Sequence, residues 1–232
     1  MAGRVEDMDN IVFKAGQKAD VEELAKSTVV SVDLGFSEKS KSTGVAWRTA
    51  KGEQPAPSRL TFEQAIKRVV KLFDSEASAV LILEAPLSAQ FNADGNPAAR
   101  LPFEQIYDVQ KKKNVNRFWY IGPGASTLIA AMFFLRRLTS MLANNDGDRQ
   151  VFLYEGLHTF KDGPTDHAQD AVELLEAFLN KKVVDVNKKA ATEWLSVIQL
   201  IGGESDTAIP AIVTVRQEPT ASNLEDQDLP NS

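Results

Sequence analysis

No cysteine occurs among the 232 residues, which excludes disulfides and thiolate-held metals. Histidine is nearly absent too. His158 and His167 are the two in the chain, too few for a histidine-rich zinc site. Any metal is then held mainly by oxygen, which favours Mg²⁺ or Mn²⁺. No run approaches the ~20 apolar residues a membrane helix needs. Basic charge is in deficit: 26 Lys and Arg stand against 32 Asp and Glu, a net charge of −6. That argues against a protein that coats nucleic acid non-specifically, while leaving room for a local basic groove. Glu6, Asp7 and Asp9 precede any apolar run, unlike a secretion signal. A cytoplasmic location without a membrane partner is the expectation.

What is present is an ordinary globular balance, 43% hydrophobic and 25% charged. Residues 1–27 are polar and read as an N-terminal extension, with a short helix over Val21–Lys26. The apolar run Val29–Val32 ends in Asp33 and then Gly35, and a second run returns from Thr43 to Trp47. The pair reads as a hairpin of buried strands. A carboxylate at the end of a buried strand needs a cation nearby. The connection holds Lys39 and Lys41 among serines, suited to meeting phosphate.

A third short strand is expected to end near Leu60. Thr61 and Gln64 have capping-box spacing, and Phe62, Ala65, Ile66, Val69, Val70 and Phe73 give the following helix one apolar face. Ala79–Leu83 is a continuous apolar run ending in Glu84. An apolar strand after a helix implies a parallel crossover, which sets Glu84 beside Asp33 if the two strands are neighbours. Strand separation of about 4.8 Å lets two such carboxylates share an ion.

Residues 87–122 read as one long irregular segment. It carries Lys111, Lys112, Lys113 and Arg117, followed by Phe118, Trp119 and Tyr120. Interleaved basic and aromatic residues suit a phosphate backbone and a stacked base. Ser126–Leu142 reads as a buried helix, Gln150–Tyr154 as a strand ending in Glu155, and Asp166–Asn180 as a helix. On that helix Asp166 and Asp170 are one turn apart and repel, so a buried Asp170 also calls for a cation. A helix is expected over 187–200 and a strand over 211–215. Residues 217–232 are acidic with no basic residue and read as a disordered tail. The main domain is therefore expected over 28–216.

The order of strands, helices and carboxylates resembles the RNase H-like fold. Asp166-His167-Ala168-Gln169-Asp170-Ala171 resembles the final-helix motif of RuvC-type nucleases. Leu83-Glu84-Ala85-Pro86-Leu87, Gly122-Pro123-Gly124-Ala125-Ser126 and Tyr154-Glu155-Gly156-Leu157-His158 resemble motifs of a large family of uncharacterised, predicted RNase H-fold nucleases. That family often has aspartate at the Glu84 position and a proline after the histidine, which this chain lacks.

The resemblance covers about residues 28–182. It implies an α/β fold with a mixed five-stranded sheet ordered 3-2-1-4-5, its first three strands antiparallel, and helices on both faces. It also implies a nuclease that hydrolyses phosphodiester bonds of DNA or RNA with two Mg²⁺ or Mn²⁺ ions, and a homodimer. Asp33 would bridge the ions, Glu84 and Asp170 would complete each side, and Asp166 or His167 would supply a fourth position, His167 alternatively as a proton shuttle. Lys39, Lys41, Lys111, Lys112, Lys113 and Arg117 would hold the phosphate backbone. The rival expectations are a catalytically silent RNase H-like binding module, an actin-like phosphotransferase suggested by Asp33-Leu34-Gly35, and a hydrolase of another phosphoester.

Overall fold

The computed structural model describes residues 11–35, 40–108, 111–116, 118–122, 124–142, 149–158, 166–187, 192–201 and 209–215. Its strands are β1 (Ile11–Ala15), β2 (Thr28–Asp33), β3 (Thr43–Arg48), β4 (Ser58–Leu60), β5 (Ser78–Leu83), β6 (Ser88–Asn92), β7 (Gln105–Asp108), β8 (Lys113–Asn116), β9 (Arg149–Leu157), β10 (Val183–Val184), β11 (Thr192–Ser196) and β12 (Ile212–Thr214). Its helices are α1 (Val21–Leu24), α2 (Phe62–Phe73), α3 (Ala125–Leu142), α4 (His167–Leu179) and α5 (Val197–Leu200).

A mixed sheet runs β10-β12-β9-β5-β2-β3-β4. β3 is antiparallel to β2 and to β4, while β5 is parallel to both β2 and β9. The sheet has eight strands, not the five expected, and its full order differs because β9 is not an edge. Along one flank β9 pairs with β1 over Arg149–Leu153 and then with β12 over Glu155–Leu157. Residues 11–27 are therefore no separate extension. β1 lies in the sheet, and Val21 and Leu24 of α1 enter the core.

β2 is buried along its whole length, as a continuous apolar run in a central strand requires. Its alternation sends Val30 and Val32 to the core shared with α2 and α3, and Val29 to the core shared with α4. Helices thus cover both faces. The Thr61–Gln64 capping box forms at the start of α2, and Phe62 meets Phe134 of α3 edge-on at 5.6 Å. By length and composition α3 alone among the described helices is apolar enough to cross a membrane. Here Phe134, Leu135 and Leu138 are fully buried against the sheet-side core.

Two other expectations are corrected. The segment 87–122 is not irregular throughout. β7 and β8 pair as a hairpin, and β6 pairs with β11. Of the helix expected over 187–200, the described residues 192–200 form β11 and then the single turn of α5, because β6 offers β11 a hydrogen-bonded neighbour and tertiary pairing overrides local pattern. The tail at 217–232 lies outside the described residues.

Candidate metal centre

Asp33 ends β2 and is 4% exposed. By the alternation of the strand it faces α4. What brings α4 to it is a missing side chain on β3. Gly44 is the register partner of Asp33, and a Cβ there would lie 1.7 Å from the His167 carbonyl oxygen. Only glycine lets the first turn of α4 rest on β3. His167 then reaches over Asp33, with Nδ1 2.8 Å from Asp33 Oδ2. Asp170, one turn into α4, is buried beside them.

One donor atom each from Asp33, His167 and Asp170 lies within 4.8 Å of the others. A second such group joins His158, Asp170 and Glu173. His158 Nε2 is 2.6 Å from Glu173 Oε2 and 3.9 Å from Asp170 Oδ1. Asp170 belongs to both groups, a position the sequence reading gave to Asp33. Two buried carboxylates side by side are unfavourable unless a proton or cation offsets them. Hard carboxylate oxygens with one imidazole fit a divalent cation, and the oxygens suit Mg²⁺ or Mn²⁺. No protein-family model matches this chain, and neither a curated protein nor a solved structure does.

The other sequence candidates are placed differently. Glu84 donates its backbone N–H to the Val32 carbonyl at 2.9 Å, so its backbone continues the β2–β5 ladder next to Asp33. It is half-buried, and its carboxylate belongs to neither donor group. Asp166 is the N-cap of α4. Its Oδ1 accepts from the Ala168 N–H at 3.1 Å and lies 3.9 Å from Arg59 Nε. That is the behaviour of a helix-start acid, and Asp166 too lies outside both groups.

Lys41, Lys111, Lys112 and Lys113 are exposed, and Lys39 and Arg117 lie outside the described residues. The aromatic cluster does not offer Tyr120 as a stacking platform. Tyr120 is buried, donates its hydroxyl to the Gln90 and Ala98 carbonyls, and packs edge-on to Phe91 and Phe118. Sequence reasoning missed Glu173. The signal was its i+3 spacing from Asp170 on one helix face.

Glu155 serves a different purpose from Asp33. Its alternation on β9 sends it to the face opposite α4. There Arg100 Nη1 donates to Glu155 Oε2 at 2.8 Å and Arg100 Nη2 to Glu104 Oε1 at 3.0 Å. Glu155 also accepts from the Leu87 N–H, Arg100 donates to Ser88 Oγ, and Glu104 accepts from the Trp119 N–H. All three charged side chains are buried. Burial pushes the Glu155 carboxyl above the usual carboxylate range, against the pull of Arg100. Burial would lower the pKa of Arg100, but Glu155 and Glu104 more than reverse this and hold the guanidinium charged. The network fastens the segment carrying β6, β7 and β8 to the end of β9.

Gly44→Ala tests the docking of α4. A methyl there forces the helix off β3 or distorts the strand. The expected result is a loss of about 1–3 kcal/mol, read by thermal unfolding, with the His167–Asp33 hydrogen bond broken. Unchanged stability and an unchanged His167 resonance would refute this account of the site.

Proposed function

We propose that the chain is a divalent-metal-dependent phosphodiester hydrolase acting on nucleic acid, on an RNase H-like fold. The observation that carries this reading is the pair of donor groups sharing Asp170 beside Asp33 at the end of the central strand. The run β4-β3-β2-β5-β9 within the longer sheet, with helices on both faces, supports the fold assignment.

Asp33 and Asp170 would hold one cation, with His167 hydrogen-bonded to Asp33 beside it, and Asp170, His158 and Glu173 would hold another. Bound divalent cations supply Lewis-acid stabilisation of the charge that develops on the phosphodiester oxygens. The chain's own part is orientation and proton handling. His167 fixes the Asp33 carboxylate through Nδ1. When Nδ1 carries that proton, Nε2 is left as a base able to take a proton from the attacking water. Burial of Asp33 and Asp170 keeps both carboxylates in a water-poor pocket, where their field is strong.

A second reading, a catalytically silent binding module of the same fold, is favoured by one observation. His167 and Asp33, and His158 and Glu173, lie at 2.8 and 2.6 Å, so each acid and imidazole satisfy one another.

Cleavage of branched DNA, single strands and RNA–DNA hybrids in Mg²⁺ and Mn²⁺ separates the two. The hydrolase reading expects turnover that EDTA abolishes and Asp33→Asn lowers by about 10³-fold, or ~4 kcal/mol of barrier. Turnover that survives Asp33→Asn sinks the mechanism. Mn²⁺ binding without turnover favours the silent module.

A further inference from the structure

The surface of α2 carries a groove that the metal centre does not use, and of its lining residues the sequence pointed to Lys41 alone as a phosphate contact. Lys41, Leu60, Gln64, Lys67, Arg68 and Lys71 line a groove of about 340 Å³. Four of these six are cationic and none is acidic, on a chain whose net charge is −6. Lys67 and Lys71 are exposed one helical turn apart, an arrangement that is repulsive by itself. Among the described residues, Lys67 is the member of the four with a carboxylate at ion-pair distance, Glu63 at 3.5 Å. The Arg68 guanidinium is stacked over the Trp47 ring at 4.9 Å. Stacking fixes the plane of the guanidinium and leaves its N–H edge available to an anion.

The position of the groove gives it a meaning. Leu60 is the last residue of the edge strand β4 and lines the groove, and its neighbour Arg59 reaches Asp166 at the start of α4. Leu60 pairs with Thr43, Arg59 with Gly44, and Gly44 with Asp33. The groove and the donor groups thus lie on either side of one sheet edge. A polyanion lying along α2 and crossing the β3–β4 rim arrives at Asp33 and His167.

We infer that the Lys41–Lys71 groove is the track for the phosphodiester backbone of a nucleic acid and feeds it over the β4 edge to the metal centre. The route to the centre rests on the hydrolase reading, whereas the phosphate track stands on the groove alone. Lys67 and Lys71 are separated by about 6 Å along the helix axis, and phosphates of one strand rise about 3.4 Å each. The α2 cations therefore span roughly two phosphate steps. Contacts of this kind position the backbone and do not read sequence.

The test is fluorescence anisotropy of the full chain in EDTA, which prevents turnover, with labelled single strands and duplexes over a range of salt. Lys67→Gln/Lys71→Gln is expected to weaken binding by on the order of tenfold per lost contact near 0.1 M salt, and to reduce the salt slope by about 2. The loss should be equal for unrelated sequences, and Lys67→Arg/Lys71→Arg should restore it. Far-ultraviolet dichroism and Mn²⁺ calorimetry, both unchanged in the variants, control for folding and for the metal centre. An unchanged slope in the glutamine variant overturns the inference even if Mn²⁺ binds. Equal binding to polyglutamate overturns it by pointing to an acidic protein instead. A reduced slope in a chain that binds no Mn²⁺ sustains the phosphate track, while the hydrolase reading and the route to the metal centre fall.

Discussion

Asp170→Asn is expected to remove divalent-metal binding at both donor groups at once. The reason is position. Asp33 and His167 share Asp170 in one donor group, and His158 and Glu173 share it in the other. A carboxamide keeps the size and one acceptor oxygen but loses the charge that both groups share. Calorimetric titration of Mn²⁺ into the wild-type chain should give a stoichiometry that falls towards zero in Asp170→Asn. In His158→Gln it should fall by one site, because the group around Asp33 is left intact. On the hydrolase reading, turnover should fall by about 10³-fold or more in Asp170→Asn. Two intact Mn²⁺ sites in that variant would show that the shared carboxylate holds no metal. Stability should move the other way: one buried negative charge fewer relieves repulsion in the metal-free chain, so its melting temperature should hold or rise.

The second large effect lies on the opposite face of the sheet. Arg100→Met deletes the cation that stands between two buried carboxylates, Glu104 and Glu155. Breaking a buried pair by removing one partner costs about 3–5 kcal/mol, and here two acids are abandoned together. For a chain of this size that corresponds to roughly 6–20 °C in melting temperature. Glu155→Gln should cost far less, about 1–2 kcal/mol. Arg100 keeps Glu104, the pair is then electrically balanced, and the glutamine still accepts from the Leu87 N–H. The ranking is the sharp part of the prediction. If Glu155→Gln destabilises as much as Arg100→Met in thermal or urea unfolding, the imbalance of two acids to one base is not what governs this network. Metal binding should survive Glu155→Gln, since Glu155 faces away from α4.

Much of the framework was legible because local chemistry and final structure agree. Val29–Val32 and Ala79–Leu83 are apolar on both sides of the pleat, so each had to be an interior strand. Thr61 and Gln64 cap α2 by a contact three residues long. Asp33 and Asp170 stood out because a carboxylate at the edge of an apolar run is costly in any fold that buries the run. The parallel direction of β5 followed from the crossover helix before it, and the structure supplied its place beside β2 and the register between them.

The remainder depended on contacts between segments far apart in the chain. Ile11–Ala15 carries no decisive pattern, and it is a strand because the flank of β9 was open. Residues 192–196 are a strand because β6 needed a partner. Arg100 lies in the segment expected to be irregular, and only the fold sets it against Glu104 and Glu155, 4 and 55 positions away. The sequence alone determined that the buried strands end in acids and that any metal must be held by oxygen and at most two imidazoles. Tertiary structure decided which acids face each other: pleat alternation turned Asp33 towards α4 and Glu155 away from it, and the bare backbone at Gly44 let α4 come close enough for His167 and Asp170 to join Asp33.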